Sequence, residues 1–156
     1  MKITTQIEIN ASSQEVWKIL MDTNSYPEWN PFVKSLSGHL AEGSRIKVKL
    51  PGMTFTPTIM TINPNKAFRW KGKLMIKGLF DGEHSFQLQA LANGNTLFLH
   101  QETFSGWLVP LFKKQLLTST KDGFEAMNKA LKARVESQST IAPSPQSLRQ
   151  STDSSQ

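Results

Sequence analysis

Between Trp107 and Glu136, apolar residues return at helical spacing for long enough to make a helix of about eight turns. No other stretch of the chain does this. Phe112, Leu116, Gly123, Met127 and Ala130 follow one line, and Leu117, Phe124 and Leu131 run along its shoulder. Lys113, Lys114, Lys121, Asp122, Lys129 and Lys132 fill the remainder, so one side must be covered while the other is solvated. Most of the preceding chain reads as strands. The simplest solution is α+β, a curved antiparallel sheet closing over one long terminal helix.

A chain of 156 residues suits one domain with a real core. No run approaches the roughly 20 apolar residues of a membrane span. The start, Met1 to Ile7, alternates like a strand and lacks the apolar run of a signal peptide. Without cysteine there is no disulfide framework, thiolate metal site or cysteine nucleophile. These features point to a cytoplasmic protein. The net charge of +6 is concentrated, because Arg45 to Lys77 holds Lys and Arg but no Asp or Glu. Arg45, Lys47 and Lys49 alternate with Ile46, Val48 and Leu50, and Arg69, Lys71 and Lys73 alternate with Phe68, Trp70, Gly72 and Leu74. Period-two alternation turns such bases outward, as a solvated face or as a surface for an anionic partner. On that face no aromatic residue interleaves with the bases, so nucleic acid is not an expected partner.

Taken in order, Lys2–Asn10 reads as a strand with Ile3, Ile7 and Ile9 on one face and a polar interruption at Thr5. Ser12 or Ser13 caps a short helix with Glu15 in its first turn. Asp22–Phe32 carries two prolines and the aromatic residues Tyr26, Trp29 and Phe32, which predicts a short helical turn packed on the domain. Strands follow near Val33–Leu40, Ser44–Leu50, Thr54–Asn63, Ala67–Lys77, Leu79–Leu91 and Asn95–Phe104, separated by turn signals. Pro57 predicts a bulge or an edge position. After Glu136 the composition turns to Ser, Gln, Thr and Pro, so residues 1–136 are expected to form the domain and 137–156 a disordered tail.

Two strands carry the chemistry. His84, Phe86, Leu88 and Ala90 share one face of the penultimate strand, and Phe98, His100, Glu102 and Phe104 share one face of the last. A tight loop at Asn93-Gly94-Asn95 places His84 opposite Glu102 or Phe104, and Phe86 opposite His100 or Glu102. A carboxylate beside imidazoles on an apolar wall is suited to proton transfer or to holding a ligand's polar group. A His–Glu pair also satisfies its own hydrogen bonds with no substrate present. Two His and one Glu could in principle ligate a metal, yet the regular strand spacing needs none, and no metal or other cofactor is expected.

The order of elements, Tyr26-Pro27-Glu28-Trp29-Asn30-Pro31-Phe32 after the first helix, and His100-Gln101-Glu102-Thr103-Phe104-Ser105-Gly106 in the final strand resemble the SRPBCC superfamily. This is the START and Bet v 1 group with the helix-grip fold. Within it the chain is most similar to small bacterial proteins described as polyketide cyclase/dehydrase. The ending Gly123 to Lys132 fits the same pattern, and the resemblance covers about Met1–Glu136. It implies about seven strands wrapped on the long helix, with two short helices after the first strand. It also implies a cavity between sheet and helix for an apolar, lipid-like or polyketide-like molecule.

On this reading Val48, Trp70, Leu74, His84, Phe86, His100, Glu102, Phe104, Phe124 and Met127 line the cavity. Trp29, Trp107, Val109 and Phe112 form its portal, since the run Trp107 to Phe112 cannot all face inward on a helix. That run also suits a transient membrane contact or a dimer contact, and both monomer and homodimer fit. Gly123 leaves room for ligand or for close approach to the sheet. The expected activity is hydrophobic ligand binding. The rival is a cyclase or dehydratase using His84, His100 and Glu102 as candidate catalytic residues.

Overall fold

The computed structural model describes residues 1–73 and 81–139. Strand β1 (Lys2–Ile9) leads into α1 (Ser13–Met21), then a short 3-10 turn and α2 (Tyr26–Trp29). Strands β2 (Ser35–Ser37), β3 (Lys47–Leu50), β4 (Met53–Phe55), β5 (Thr58–Asn63), β6 (Ala67–Lys73), β7 (Asp81–Ala90) and β8 (Thr96–Ser105) follow. The chain closes with α3 (Val109–Gln115), a π-helical turn at Leu116–Thr120 and α4 (Lys121–Ser139). The strands form a five-stranded antiparallel sheet in the order β1-β8-β7-β6-β5 and a smaller sheet in the order β2-β3-β4. This is the helix-grip arrangement, with the strands divided between two sheets.

Local sequence accounts for the main breaks. Ser12 caps α1 in a capping box, accepting from the Glu15 backbone N–H while the Glu15 carboxylate accepts from the Ser12 N–H at 2.8 Å. The expected strand Thr54–Asn63 divides on either side of Pro57 into β4, at the edge of the small sheet, and β5, at the edge of the large one. Proline cannot donate to a ladder, so the chain changes sheets there. A register shift between Ile59 and Thr61 adds a bulge. The basic residues of β3 and β6 consequently lie on two different sheets. Arg69 of β6 is paired with Glu83 of β7 at 3.6 Å.

The terminal helix is not continuous, contrary to expectation. It begins at Val109, with Pro110 in its first turn, and widens at Leu116–Thr120 before α4 runs regularly to Ser139. The cause is visible in the sequence Thr118-Ser119-Thr120. The Thr118 hydroxyl donates back to the Lys114 carbonyl at 2.9 Å, and hydroxyl side chains that bond to the preceding turn loosen the regular ladder. Beyond the break, Phe124, Met127, Asn128, Leu131 and Val135 form the buried stripe of α4. The main core packs this stripe and α1 against Phe68, Trp70, Phe86, Leu88 and Phe98 of the large sheet. A second cluster of Ile3, Phe104, Val109 and Phe124 closes the side where α3 begins.

Candidate functional site

The β7–β8 ladder pairs Leu88 with Phe98, Phe86 with His100, His84 with Glu102 and Gly82 with Phe104. All of these face the helices. At the Phe98 end the space is full, and at the Gly82 end it opens into a cavity of 460 Å³. Its wall is made by Phe32, Val33, Val48, Leu50, Phe55, Trp70, Phe104, Leu108 and Phe124, with Gly72 and Gly82 in the sheet beneath. Met53 and Phe112 also belong to the lining and are exposed, which places the mouth between the β3–β4 hairpin and α3.

The expected site residues divide into three groups. Val48, Trp70, His84, Glu102, Phe104 and Phe124 line the cavity. Phe86, His100 and Met127 are wholly buried in the packed region and do not reach its surface. Leu74 lies outside the described residues. Of the expected portal, Phe112 lines the cavity, whereas Val109 is buried against Ile3 and Phe104. Trp107 is 80% exposed and lies off the lining. Trp29 is also away from it, packed edge-on to Tyr26 and donating its indole N–H to the Ser25 hydroxyl at 3.3 Å.

Phe32 was not among the expected lining residues, and its position explains Gly123. The Asn30 side-chain oxygen accepts from the backbone N–H groups of Phe32 at 3.0 Å and Val33 at 2.8 Å, fixing the loop after α2. The Phe32 ring then lies on Gly123, where an added Cβ would come within 2.4 Å of it. The glycine is therefore occupied by a loop side chain rather than by the sheet. The signal was present in the two aromatic-rich segments, but only the fold brings them together.

The polar groups form one chain leading inward from the cavity. Glu102 Oε2 is hydrogen-bonded to His84 Nδ1. His84 Nε2 meets His100 Nε2 at 2.9 Å, and His100 Nδ1 meets Asn128 Oδ1 at 2.9 Å. Asn128 Nδ2 donates to the Thr5 hydroxyl at 2.9 Å, and that hydroxyl reaches the His100 carbonyl at 3.5 Å. The rings are clamped: His84 is stacked on Trp70 with centroids 4.5 Å apart, and His100 on Phe124 at 3.7 Å. Asn128 and Thr5 escaped the candidate set. Each is the polar residue in an otherwise apolar buried line, Thr5 beside Ile3 and Ile9 on β1 and Asn128 four residues after Phe124 on α4.

Burial governs the charge state of this chain. It pushes the Glu102 carboxyl up to about 8, and the nearby Glu83 carboxylate adds to the effect. It holds His84 down, at about 3. His100 is lowered well below its usual value by burial and then by its neighbour His84, against an opposing hydrogen bond from Asn128. Both directions favour a neutral carboxylic acid beside two neutral imidazoles. In the neutral pair one Nε2 donates to the other across the 2.9 Å contact. Among the described residues no group of three or more His, Cys, Asp or Glu is arranged to hold a metal ion.

A curved sheet on a terminal helix, with an apolar cavity held between them, defines a helix-grip protein of the SRPBCC superfamily. The chain belongs to the family described as polyketide cyclase / dehydrase and lipid transport, which matches residues 1–136. Similar solved structures include the protein XoxI from Bacillus cereus, at 20% identity and a TM-score of 0.70, covering 88% of this chain and 97% of that one. A START superfamily protein from Mycobacterium smegmatis is 22% identical, with a TM-score of 0.67 and coverage of 88% and 98%. The di-domain ARO/CYC StfQ from the steffimycin biosynthetic pathway is 12% identical, with a TM-score of 0.70 and coverage of 90% and 52%. At these identities the likeness concerns the fold. No match was found among curated protein sequences.

Proposed function

We propose that this protein binds a hydrophobic small molecule, lipid-like or polyketide-like, in the space between the large sheet and the terminal helices. The observation that carries the reading is a 460 Å³ cavity with an almost wholly apolar wall and one inward polar pair, Glu102 and His84. Apolar burial supplies affinity in such a site, and a small number of fixed polar groups supply orientation. Native mass spectrometry of protein purified from its own host tests this. A copurifying apolar molecule is expected, displaced when Phe55→Trp fills the wall. A consistently empty cavity in every preparation counts against it.

A second reading is favoured by the inward hydrogen-bond chain. A carboxyl group held protonated by burial beside two imidazoles is suited to moving protons on a carbonyl compound, the chemistry of a cyclase or dehydratase. In that case Glu102→Gln abolishes turnover while leaving ligand bound, because the amide keeps the shape and loses the proton. Equal turnover by wild type and Glu102→Gln removes Glu102 from the chemistry, and absence of any turnover removes the enzyme reading.

Access to the cavity is assigned, within the same proposal, to the α3 side. Trp107, Leu111, Phe112 and Leu117 are exposed there, beside Lys113 and Lys114. Apolar side chains flanked by lysines suit brief contact with an anionic membrane surface.

A further inference from the structure

We infer that the molecule bound in the cavity is a neutral hydroxyl compound with an apolar body, which enters hydroxyl first and donates its hydrogen bond to Glu102 Oε1. This deepens the binding reading above and rests on it.

At the far end of the polar chain the donors and acceptors follow from the 3.5 Å contact of the Thr5 hydroxyl with the His100 carbonyl. The Thr5 hydroxyl has its hydrogen directed at the His100 carbonyl, which can only accept. Its oxygen therefore accepts from the Asn128 amide N–H, and this orients Asn128 Oδ1 toward His100. His100 Nδ1 must then carry a hydrogen, so in the neutral ring Nε2 is a lone pair. That lone pair accepts from His84 Nε2–H, which leaves His84 Nδ1 as a lone pair facing Glu102 Oε2. The hydrogen between those two atoms comes from the carboxylic acid. Each contact of the buried chain thus has one donor and one acceptor, and from Glu102 to Thr5 the donors point inward from the cavity.

One polar atom remains for the ligand. Glu102 Oε1 has no hydrogen-bond partner among the described residues and lies over Gly82, where an added Cβ would come within 2.5 Å of it. Gly82 and Glu102 both belong to the cavity lining, so the glycine makes the room that this oxygen occupies. Oε1 is an acceptor whether the shared hydrogen sits on Glu102 or on His84. A ligand that only accepts, such as an ether or a ketone, leaves Oε1 unpaired in an apolar site. A carboxylate ligand sets its anionic oxygen against the lone pairs of Oε1, with the negative charge of Glu83 nearby. A hydroxyl donor satisfies it at no cost in charge. The remaining polar lining residues, Ser119 and Thr120, lie on the π turn and can meet other parts of a ligand.

The test uses the whole protein at pH 6.5 with three matched probes, 4-hexylphenol, 4-hexylanisole and 4-hexylbenzoate, titrated by calorimetry. The phenol is expected to bind about tenfold more tightly than the anisole, the order of effect when a buried acceptor is left unpaired, and the benzoate most weakly. Glu102→Leu brings the phenol and anisole affinities together by removing the acceptor. Glu102→Gln keeps the preference, because its N–H donates to His84 and its carbonyl replaces Oε1, and this variant covers the case in which the leucine variant fails to fold. Equal affinity for phenol and anisole, tightest binding of the benzoate, or loss of the preference in Glu102→Gln overturns the inference while apolar binding stands. Binding of none of the three overturns both readings.

Discussion

The two ends of the β7–β8 ladder are built from the same strands, yet one is solid and the other hollow. At the Phe86–Phe98 end the facing helix is the regular α4, and Met127, Leu131 and Val135 fill the space. At the Gly82–Phe104 end the sheet lacks side chains at Gly72 and Gly82, and the helix has widened into the π turn and α3. His84 and Glu102 stand at the boundary. The hollow thus arises from two coincident omissions, side chains in the sheet and regularity in the helix. It needs no special lining chemistry.

The comparison breaks first on core truncation. Phe98→Ala removes a fully buried ring from the solid end and is expected to cost about 3–5 kcal/mol in urea unfolding. Phe112→Ala, at the mouth of the hollow and 41% exposed, is expected to cost less than about 1 kcal/mol. Equal losses would mean that the cavity end is closed and packed in solution.

The boundary is sharpened by pH. In the folded chain His84 and His100 stay neutral below the usual histidine value of 6.5, where the unfolded chain takes up protons, so their contribution to stability rises with pH up to about there. Glu102 behaves oppositely. Folding raises it from 4.5 to about 8, so its contribution is full at low pH and is lost as pH rises toward 8. Together the three groups place a stability maximum near the histidine value. Between there and pH 8 the wild type is expected to lose on the order of 1–2 kcal/mol relative to Glu102→Gln, whose amide does not titrate. Parallel melting profiles for the two proteins would show that Glu102 is ionised in the fold.

The smallest effect on folding belongs to the outer surface of the hollow end. Trp107 and Leu111 are 80% and 75% exposed, so Trp107→Ser with Leu111→Ser is expected to change stability by less than about 0.5 kcal/mol. Co-sedimentation with phosphatidylglycerol vesicles should nevertheless fall, and added salt should weaken what remains. Failure of the wild type to sediment removes the membrane contact.

Much of this arrangement was legible from residue order. The loop Asn93-Gly94-Asn95 left two β7–β8 registers, one of which is the pairing found, and period two put His84 and Glu102 on one face. Helical spacing gave the buried stripe of α4, but Phe86, His100 and Met127 were expected at the cavity and lie in the solid end. The hollow end was harder to read, because it depends on what the chain leaves out. Threonine and serine at positions 118–120 widen a helix only through a bond to the turn before, which spacing does not reveal. Thr5 and Asn128 read as interruptions in apolar patterns, and only the three-dimensional pairing of β1, β8 and α4 shows that they complete one polar chain. Phe32 reached the wall through its contact with Gly123, a partner 91 positions away in the numbering.

The π turn has a consequence for how such a scaffold can change. Leu108, Phe112, Ser119 and Thr120, which belong to α3, its approach and the turn, shape the cavity, whereas Phe124, Met127, Leu131 and Val135 anchor the domain. Because the break separates these two sets, substitutions in the stretch 108–120 outside the buried Val109 reshape the cavity wall while leaving the anchor beyond Lys121 its grip on the sheet.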